Sequence, residues 1–266
     1  MLGAVIGDIV GSRFEFTGKK QRAFALFTDY NLFTDDTVMT CAVAQAILRC
    51  NGNYEELSQT AVDCMQSLGR KYPGRGYGGL FLRWLDEEYP SPYHSYGNGS
   101  AMRVSPVAYA AKSLSEVISL SRKVTEISHD HPEGIKGAEA VAVATWMALQ
   151  GKDKREIRGY IDEHYYHIEK DYDDLPFTFL VDATCQATVP PSLYAFFETD
   201  GFEDAIRCAV AFGGDADTMA AITGSIAGAY YGIPPEIERK AKKYLDGYLT
   251  GILDRFDKQF PSRKEG

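Results

Sequence analysis

One helical segment with small residues along its side constrains the fold of this chain most strongly. The segment DTMAAITGSIAGAYY, residues 217–231, has the apolar periodicity of a helix. Its small residues are Ala220, Ala221, Gly224, Ala227 and Gly228. Glycine inside a helix costs about 1 kcal/mol relative to alanine, so close packing against another backbone is expected to compensate. The helix is therefore predicted to lie in the middle of the core.

Helical periodicity also dominates the rest of the chain, and no segment has the strong alternation of a strand. It predicts further helices over residues 35–50, 55–68, 113–128 and 132–149, with Gly52 ending the first. The turn-rich segments, residues 72–79, 89–99 and 171–176, are too short for interdomain linkers. We predict a single all-α domain over residues 1–266, with Trp84 and Trp146 in its core.

Composition and charge exclude several classes of protein. Hydrophobic residues make up 45% of the 266 residues and charged residues 24%, as in ordinary globular proteins. The net charge is −9, and no run of basic residues could follow a phosphate backbone. Nonspecific binding of nucleic acid is therefore not expected.

The expected compartment is the cytoplasm. The five cysteines are far apart and form no C-x-x-C pair, which favours a reducing environment. Residues 1–16 are apolar, but they lack a basic region and are interrupted by Asp8, so a signal peptide is a poor interpretation. No segment approaches the roughly 20 apolar residues that a membrane span needs. We expect no membrane partner, and the oligomeric state stays open.

Two acidic clusters open predicted helices at opposite ends of the chain. They are Thr34, Asp35 and Asp36, and Asp215, Asp217 and Thr218. For either cluster alone, capping is a sufficient explanation, because threonine caps helices and acidic residues in the first turn complement the helix dipole.

Taken together, the clusters indicate a cation site. Carboxylate and hydroxyl oxygens are ligands that Mg²⁺, Mn²⁺ or Ca²⁺ prefers and zinc does not. The glycine pair at residues 213–214 allows a sharp turn before the second cluster. If the two helix starts meet, carboxylates about 4 Å apart repel by about 4 kcal/mol at an effective dielectric constant of 20. Spacing alone does not decide whether they meet.

Glycine-rich segments are candidate ligand loops. Residues 74–79, GRGYGG, match G-x-G-x-x-G, but no strand precedes them, which excludes a Rossmann site. Both this loop and residues 97–100, GNGS, have the composition to wrap a diphosphate with backbone N–H groups, although an ordinary turn would also explain the second. His129 and His131 lie two residues apart and do not share a helix face, so a zinc pair is not expected. Arg103 would neutralise a phosphate or pair with a surface acid.

The order of motifs along the chain resembles the ADP-ribosylglycohydrolase superfamily. The blocks are GDIVGSRFEF, FTDDT, RGYGG, GNGSAMRVSP, SHDHPEG and FGGDADTMAAITGSIAGA. The resemblance implies an orthogonal all-α bundle with a central binuclear site for two divalent cations, Mg²⁺ or Mn²⁺. It implies as metal ligands Thr34, Asp35, Asp36, Asp215, Asp217 and Thr218.

The resemblance also implies the catalytic and substrate-binding residues. Glu15, in GSRFEF, corresponds to the acid/base, with Asp36 and Asp217 as catalytic carboxylates of the metal site; without the resemblance, Glu15 would be taken for a surface residue. The implied ADP-ribose pocket contains Gly76, Gly78, Gly97, Asn98, Gly99, Ser100, Met102 and His129. His129 would otherwise be interpreted as a structural histidine before a helix.

The implied activity is hydrolysis of an ADP-ribosyl bond on a modified protein or small molecule. An N-glycosidic bond to arginine on a protein is the first expectation. Alternatives within the same enzyme class are O-linked ADP-ribosyl-serine, an ADP-ribosylated nucleobase or a small nucleotide derivative. A different class is a catalytically silent structural relative of crystallin type, which the complete set of acidic residues disfavours.

Overall fold

The protein is built from helices that pack around a central pair of buried helices. The computed structural model describes residues 1–18, 22–168 and 182–261, and within these it has fourteen α-helices, two 3₁₀ turns and no strand. The helices are α1 Leu2–Gly11, α2 Asp35–Cys50, α3 Leu57–Lys71, α4 Gly79–Asp86, α5 Gly99–Met102, α6 Pro106–Ala110, α7 Leu114–Thr125, α8 Pro132–Leu149, α9 Lys154–His164, α10 Cys185–Phe197, α11 Phe202–Phe212, α12 Ala216–Tyr231, α13 Pro235–Ala241 and α14 Gly247–Gln259. The all-α prediction is confirmed.

The predicted helix boundaries agree with the structure where local signals are strong. Helix α2 ends as Asn51 adopts a left-handed conformation with φ of 47°, directly before Gly52. Helix α8 has the predicted bounds, with proline in its first turn. Helix α7 is shorter than predicted: Ser113 is its N-cap and accepts from the backbone N–H of Glu116. The predicted turn at residues 171–176 lies outside the described residues.

Helix α12 is the central helix, as its small residues predict. All its residues from 216 to 228 are buried, and α1 crosses it at backbone contact. A Cβ placed on Gly7 would lie 2.0 Å from the carbonyl oxygen of Ala220, and one on Gly3 would lie 2.0 Å from that of Gly224. Glycines on both helices therefore permit the crossing.

The close contact between α1 and α12 continues to the last residue of α1 and the start of α12. A Cβ on Gly11 would lie 2.4 Å from the Cα of Asp217, so the end of α1 lies against the second acidic cluster.

Trp84 is fully buried, as predicted, whereas Trp146 is half-buried against the core and donates to the carbonyl of Ala111. In the described ranges, no helix has the length and apolarity needed to cross a membrane.

Candidate active site

The structure brings the two acidic clusters together. The hydroxyl of Thr218 donates to a carboxylate oxygen of Asp36 at 3.2 Å, which joins the start of α12 to the start of α2. Carboxylate oxygens of Glu15, Asp215 and Asp217 lie within 4.8 Å of one another. Side chains that are distant in sequence thus form one acidic wall, which consists of Glu15, Asp35, Asp36, Asp215 and Asp217.

Capping explains the first cluster in part and the second hardly at all. Thr34 is the N-cap of α2 and accepts from the backbone N–H of Asp36 at 3.3 Å. Asp215 is the N-cap of α12, but its side chain makes no capping hydrogen bond. Left-handed conformations at Gly213 and Gly214 turn the chain sharply before it. The carboxylate of Asp215 therefore faces the site instead of its own helix.

Glu15 is held near the second cluster by a backbone connection. It follows the 3₁₀ turn Ser12–Phe14 and is half-buried. Two residues later, Thr17 forms an antiparallel bridge with Gly214, whose N–H donates to the Thr17 carbonyl at 2.9 Å. The loop that carries Glu15 is therefore fixed to the turn that carries Asp215.

Asp8 is a buried residue of the site that the sequence interpretation missed. Its carboxylate accepts from the backbone N–H of Thr34 at 3.0 Å and from the Thr34 hydroxyl at 2.8 Å. It also accepts from the backbone N–H and the hydroxyl of Thr37. An aspartate inside an otherwise apolar buried helix was the available signal. Asp8 anchors the first turn of α2 to α1.

Burial and repulsion between carboxylates raise the pKa values of five acidic side chains in or beside the site. Desolvation, followed by neighbouring carboxylates, raises the pKa of Asp36 and of Asp217 well above the usual range. The same causes raise the pKa of Asp35 to about 8 and also raise that of Glu15. Desolvation raises the pKa of Asp8 to about 6, against the effect of its hydrogen bonds.

The acidic wall fits a divalent cation. Its donor atoms are all oxygens, and crowded carboxylates need positive charge to ionise together. In addition, Oδ1 of Asp36 is buried and has no hydrogen-bond partner within the described residues. A buried carboxylate oxygen without a donor is costly unless something binds it.

A cavity of about 340 Å³ lies against the acidic wall. Most residues predicted for the substrate pocket line it, namely Gly76, Gly78, Gly97, Asn98, Gly99, Met102 and His129. Ser100 does not line it: its hydroxyl donates to the carbonyl of Gly134 at 2.9 Å. Thr34 does not line it either and faces Asp8.

The two glycine loops lie against different acidic clusters. Gly76 has φ of 102°, and a Cβ there would lie 3.1 Å from a carboxylate oxygen of Asp35. In the second loop, the amide nitrogen of Asn98 donates to Asp215 at 2.6 Å and to Thr188 at 2.9 Å. Both side-chain N–H groups of Asn98 thus serve the protein, and the side chain orients a carboxylate of the acidic wall.

Arg103 and His129 form a buried polar corner of the cavity. Arg103 is 1% exposed and its guanidinium lies over the ring of Phe81. Of its two predicted alternatives, the ion pair with a surface acid is not found among the described residues. His129 is 4% exposed and lies between Phe81 and Tyr93, with ring centroids 6.4 and 5.5 Å away. The sequence interpretation did not assign these two aromatic residues, because no short motif contains them.

Comparison with known proteins gives consistent relatives. A family model described as ADP-ribosylglycohydrolase matches residues 1–265. ADP-ribosylhydrolase ARH3 of Gallus gallus is 26% identical, over 92% of this chain and 89% of the relative. ADP-ribosylarginine hydrolase Tri1 of Pseudomonas putida (strain GB-1) is 27% identical, over 96% and 77% respectively.

Two further relatives agree with these. The ADP-ribosyl-[dinitrogen reductase] glycohydrolase of Rhodospirillum rubrum is 25% identical over 94% of both chains. A solved structure, "ADP-ribosylglycohydrolase-related protein complex", superposes with a TM-score of 0.71 at 24% identity and covers 90% of this chain and 93% of that one. The all-α fold is therefore shared with known structures.

Proposed function

The chain belongs to the ADP-ribosylglycohydrolase family, and on that premise we propose that it removes ADP-ribose from arginine side chains of modified proteins in a metal-dependent reaction. One observation carries the proposal: two acidic helix starts and two glycine loops line the same cavity. Such a cavity pairs a cation-binding wall with backbone suited to a diphosphate.

We assign two divalent cations, Mg²⁺ or Mn²⁺, to the acidic wall. The proposed ligands are the cavity-lining residues Asp35, Asp36, Asp215, Asp217 and Thr218, together with Thr34. Thr34 lies outside the cavity lining, and its hydroxyl oxygen would coordinate through a lone pair while its hydrogen stays on Asp8. The partnerless oxygen of Asp36 and the raised pKa values support this assignment. When bound, the cations would polarise ribose hydroxyls and lower the pKa of a water molecule.

The chain's own residues would then perform the glycosidic chemistry. Glu15 is half-buried near Asp215, and burial together with that neighbouring carboxylate raises its pKa, which favours a group that takes up and releases a proton. Asp36 and Asp217 would hold the ribose end of the substrate through the cations. The transition state would have oxocarbenium character as the glycosidic bond breaks, as in other glycoside cleavages.

The acceptor follows from the relatives and not from the cavity. The Pseudomonas relative is named for ADP-ribosylarginine, which favours arginine here. An O-linked ADP-ribosyl-serine, an ADP-ribosylated nucleobase or a small ADP-ribose derivative would place the same ADP-ribose in the same cavity. The cytoplasm remains the proposed compartment, and residues 1–266 the proposed single domain.

The test is a panel of modified substrates. The purified protein with Mg²⁺ is given ADP-ribosyl-arginine protein, ADP-ribosyl-serine peptide and an ADP-ribosylated nucleobase, and released ADP-ribose is measured. We expect fastest release from arginine, with Asp217→Asn as the inactive control. Faster release from another substrate would change the acceptor, and binding of ADP-ribose with no release from any substrate would indicate a silent relative.

A further inference from the structure

A buried hydrogen-bonded chain connects Arg103, Ser128 and His129 beside the cavity. The guanidinium of Arg103 donates to the Ser128 hydroxyl oxygen at 2.7 Å. The same oxygen lies 2.8 Å from Nδ1 of His129. The three residues are 1%, 0% and 4% exposed, so water does not compete for these hydrogen bonds.

We call these three hydrogen-bonded side chains the relay. Its hydrogen-bond donors determine where the protons of the relay lie. A guanidinium can only donate, so Ser128 accepts from Arg103. The Ser128 hydroxyl has two contacts within the described residues, Arg103 and His129. If its hydrogen did not point at Nδ1, it would be a buried donor without a partner, which is costly. Nδ1 of His129 is therefore the acceptor.

An accepting Nδ1 leaves the proton of a neutral imidazole on Nε2. Nε2 faces the second glycine loop: a Cβ on Gly99 would lie 3.2 Å from it, and one on Gly97 would lie 3.7 Å from it. Gly97, Gly99 and His129 all line the cavity. The absence of side chains at these glycines leaves the Nε2–H accessible.

We propose that Ser128 and Arg103 are positioning residues that hold His129 as the neutral Nε2–H tautomer, so that it presents a fixed hydrogen-bond donor to an oxygen of the bound ligand beside Gly97 and Gly99. That the ligand contains ADP-ribose rests on the proposed function. The tautomer itself is a property of the protein without ligand.

The surroundings of His129 favour the neutral ring. Burial and the nearby Arg103 guanidinium lower the pKa of His129 well below its usual value.

Hydrogen bonds also fix the backbone of this segment. The indole of Trp84 donates to the carbonyl of Ile127 at 3.0 Å, and the backbone N–H of His129 donates to the carbonyl of Thr125 at 2.8 Å. The segment that carries Ser128 and His129 is thus fixed on both sides.

The chain offers a matched control for Ser128→Ala. Ser121, on helix α7, is also fully buried, but its hydroxyl has no hydrogen-bond partner within the described residues. Ser121→Ala therefore makes the same chemical change without touching the relay. Ser128→Thr keeps a hydroxyl at the relay and serves as the rescue variant.

The experiment is ¹⁵N NMR of the imidazole nitrogens in the full-length protein, with His129 assigned by comparison with His129→Gln. In the parent, Ser121→Ala and Ser128→Thr, we expect Nδ1 to be unprotonated and Nε2 protonated. In Ser128→Ala we expect a tautomer mixture or the Nδ1–H form. Nδ1–H in the parent, or a pure Nε2–H form in Ser128→Ala, would overturn the proposal. Nδ1–H in the parent would overturn the proposal even if Ser128→Ala does not fold.

Calorimetric binding of ADP-ribose in Mg²⁺ adds a functional readout. Ser128→Ala should bind about 10-fold more weakly, as expected for loss of one oriented hydrogen bond, and Ser121→Ala should bind like the parent. Equal affinity of Ser128→Ala and the parent would contradict a role in ligand binding. If the parent does not bind ADP-ribose, the proposed function fails while the tautomer measurement still tests the relay.

Discussion

The side-chain nitrogen of Asn98 donates a hydrogen bond of 2.6 Å to a carboxylate oxygen of Asp215, 117 positions further along the chain. Its second hydrogen bond goes to the hydroxyl of Thr188 at 2.9 Å. The second glycine loop is thereby joined to the acidic wall. Any movement of this loop on ligand binding would therefore change the position of the Asp215 carboxylate, which is a proposed cation ligand.

Asn98→Ala should weaken cation binding without removing a carboxylate. Loss of the donor frees Asp215 to rotate, and such supporting hydrogen bonds are typically worth about 10- to 100-fold in metal affinity. Mn²⁺ binding by calorimetry measures this. Ser100→Ala in the same loop is the control, because the Ser100 hydroxyl faces Gly134 instead of the acidic wall. Unchanged Mn²⁺ affinity in Asn98→Ala would exclude the supporting role.

The sequence predicted those parts of the fold that local chemistry specifies. Helix α2 has a threonine cap and a left-handed end before Gly52, and α8 begins at a proline, so both were located correctly. Helix α1, in contrast, was not among the predicted helices. It is buried on all sides, so it has no polar face from which helical periodicity could be recognised.

Residue patterns alone predicted the site only as separate pieces, and the expectation that the pieces converge came from the family resemblance. Each acidic cluster was recognisable from its residue types, but their convergence depends on the crossing of α1 and α12, which no local pattern specifies. The role of Asp8 depends on Thr34 and Thr37, and that of Asn98 on Asp215 and Thr188. Such partners, far apart in sequence, become visible only in three dimensions.

Gly7→Ala should destabilise the protein strongly. Its new Cβ would lie 2.0 Å from the Ala220 carbonyl oxygen, so α1 and α12 would have to separate. We expect the free energy of unfolding in urea to fall by at least about 2 kcal/mol. Gly159→Ala, at an exposed position of helix α9 with open space around it, should instead gain up to about 1 kcal/mol. Equal effects of the two variants would contradict the close crossing.

Metal removal should abolish activity and lower the melting temperature. EDTA leaves the carboxylates of the acidic wall without compensating charge, whereas a cation that binds only the folded state stabilises it. Differential scanning fluorimetry with EDTA, Mg²⁺, Mn²⁺ and Zn²⁺ measures the effect, with Zn²⁺ the poor substitute. Full turnover in metal-free protein would rule out the proposed cation site.

Stability of the metal-free protein should fall as pH rises from 6 to 8. The pKa of Asp35 is raised to about 8 in the folded protein, against about 3.9 in an unfolded chain, so the folded state binds the proton more tightly. That contribution is complete below the unfolded value and is lost as pH rises through the folded one. Saturating Mg²⁺ favours the ionised form and should flatten or reverse the trend.

Urea unfolding in EDTA at pH 6 and pH 8 tests this dependence. Asp35→Asn should reduce the difference between the two pH values, because one group with a raised pKa is removed. Asp63→Asn, on the exposed side of α3, is the matched control and should leave the difference unchanged. A difference between the two pH values that is the same in Asp35→Asn and in the parent would contradict the raised pKa of Asp35.

Glu15→Gln should separate ligand binding from chemistry. The substitution removes a group that can exchange protons at nearly constant volume, and it leaves all six proposed cation ligands in place. General acid–base assistance is typically worth about 10² to 10⁴ in rate, roughly 3 to 5 kcal/mol. Turnover of ADP-ribosyl-arginine protein should fall within that range, whereas ADP-ribose affinity should change far less.

Asp217→Asn is the comparison variant for Glu15→Gln, because it removes a proposed cation ligand instead of the proposed acid/base. Asp217 lies at the start of the central helix, with its carboxylate within 4.8 Å of those of Glu15 and Asp215, so its loss should reduce cation binding, ADP-ribose binding and turnover together. Turnover and calorimetric binding are measured for the parent and both variants under the same Mg²⁺ concentration. If Glu15→Gln keeps more than about a tenth of parental turnover, the acid/base role of Glu15 is wrong and passes to Asp36 or Asp217, since a lost transition-state interaction must lower the rate.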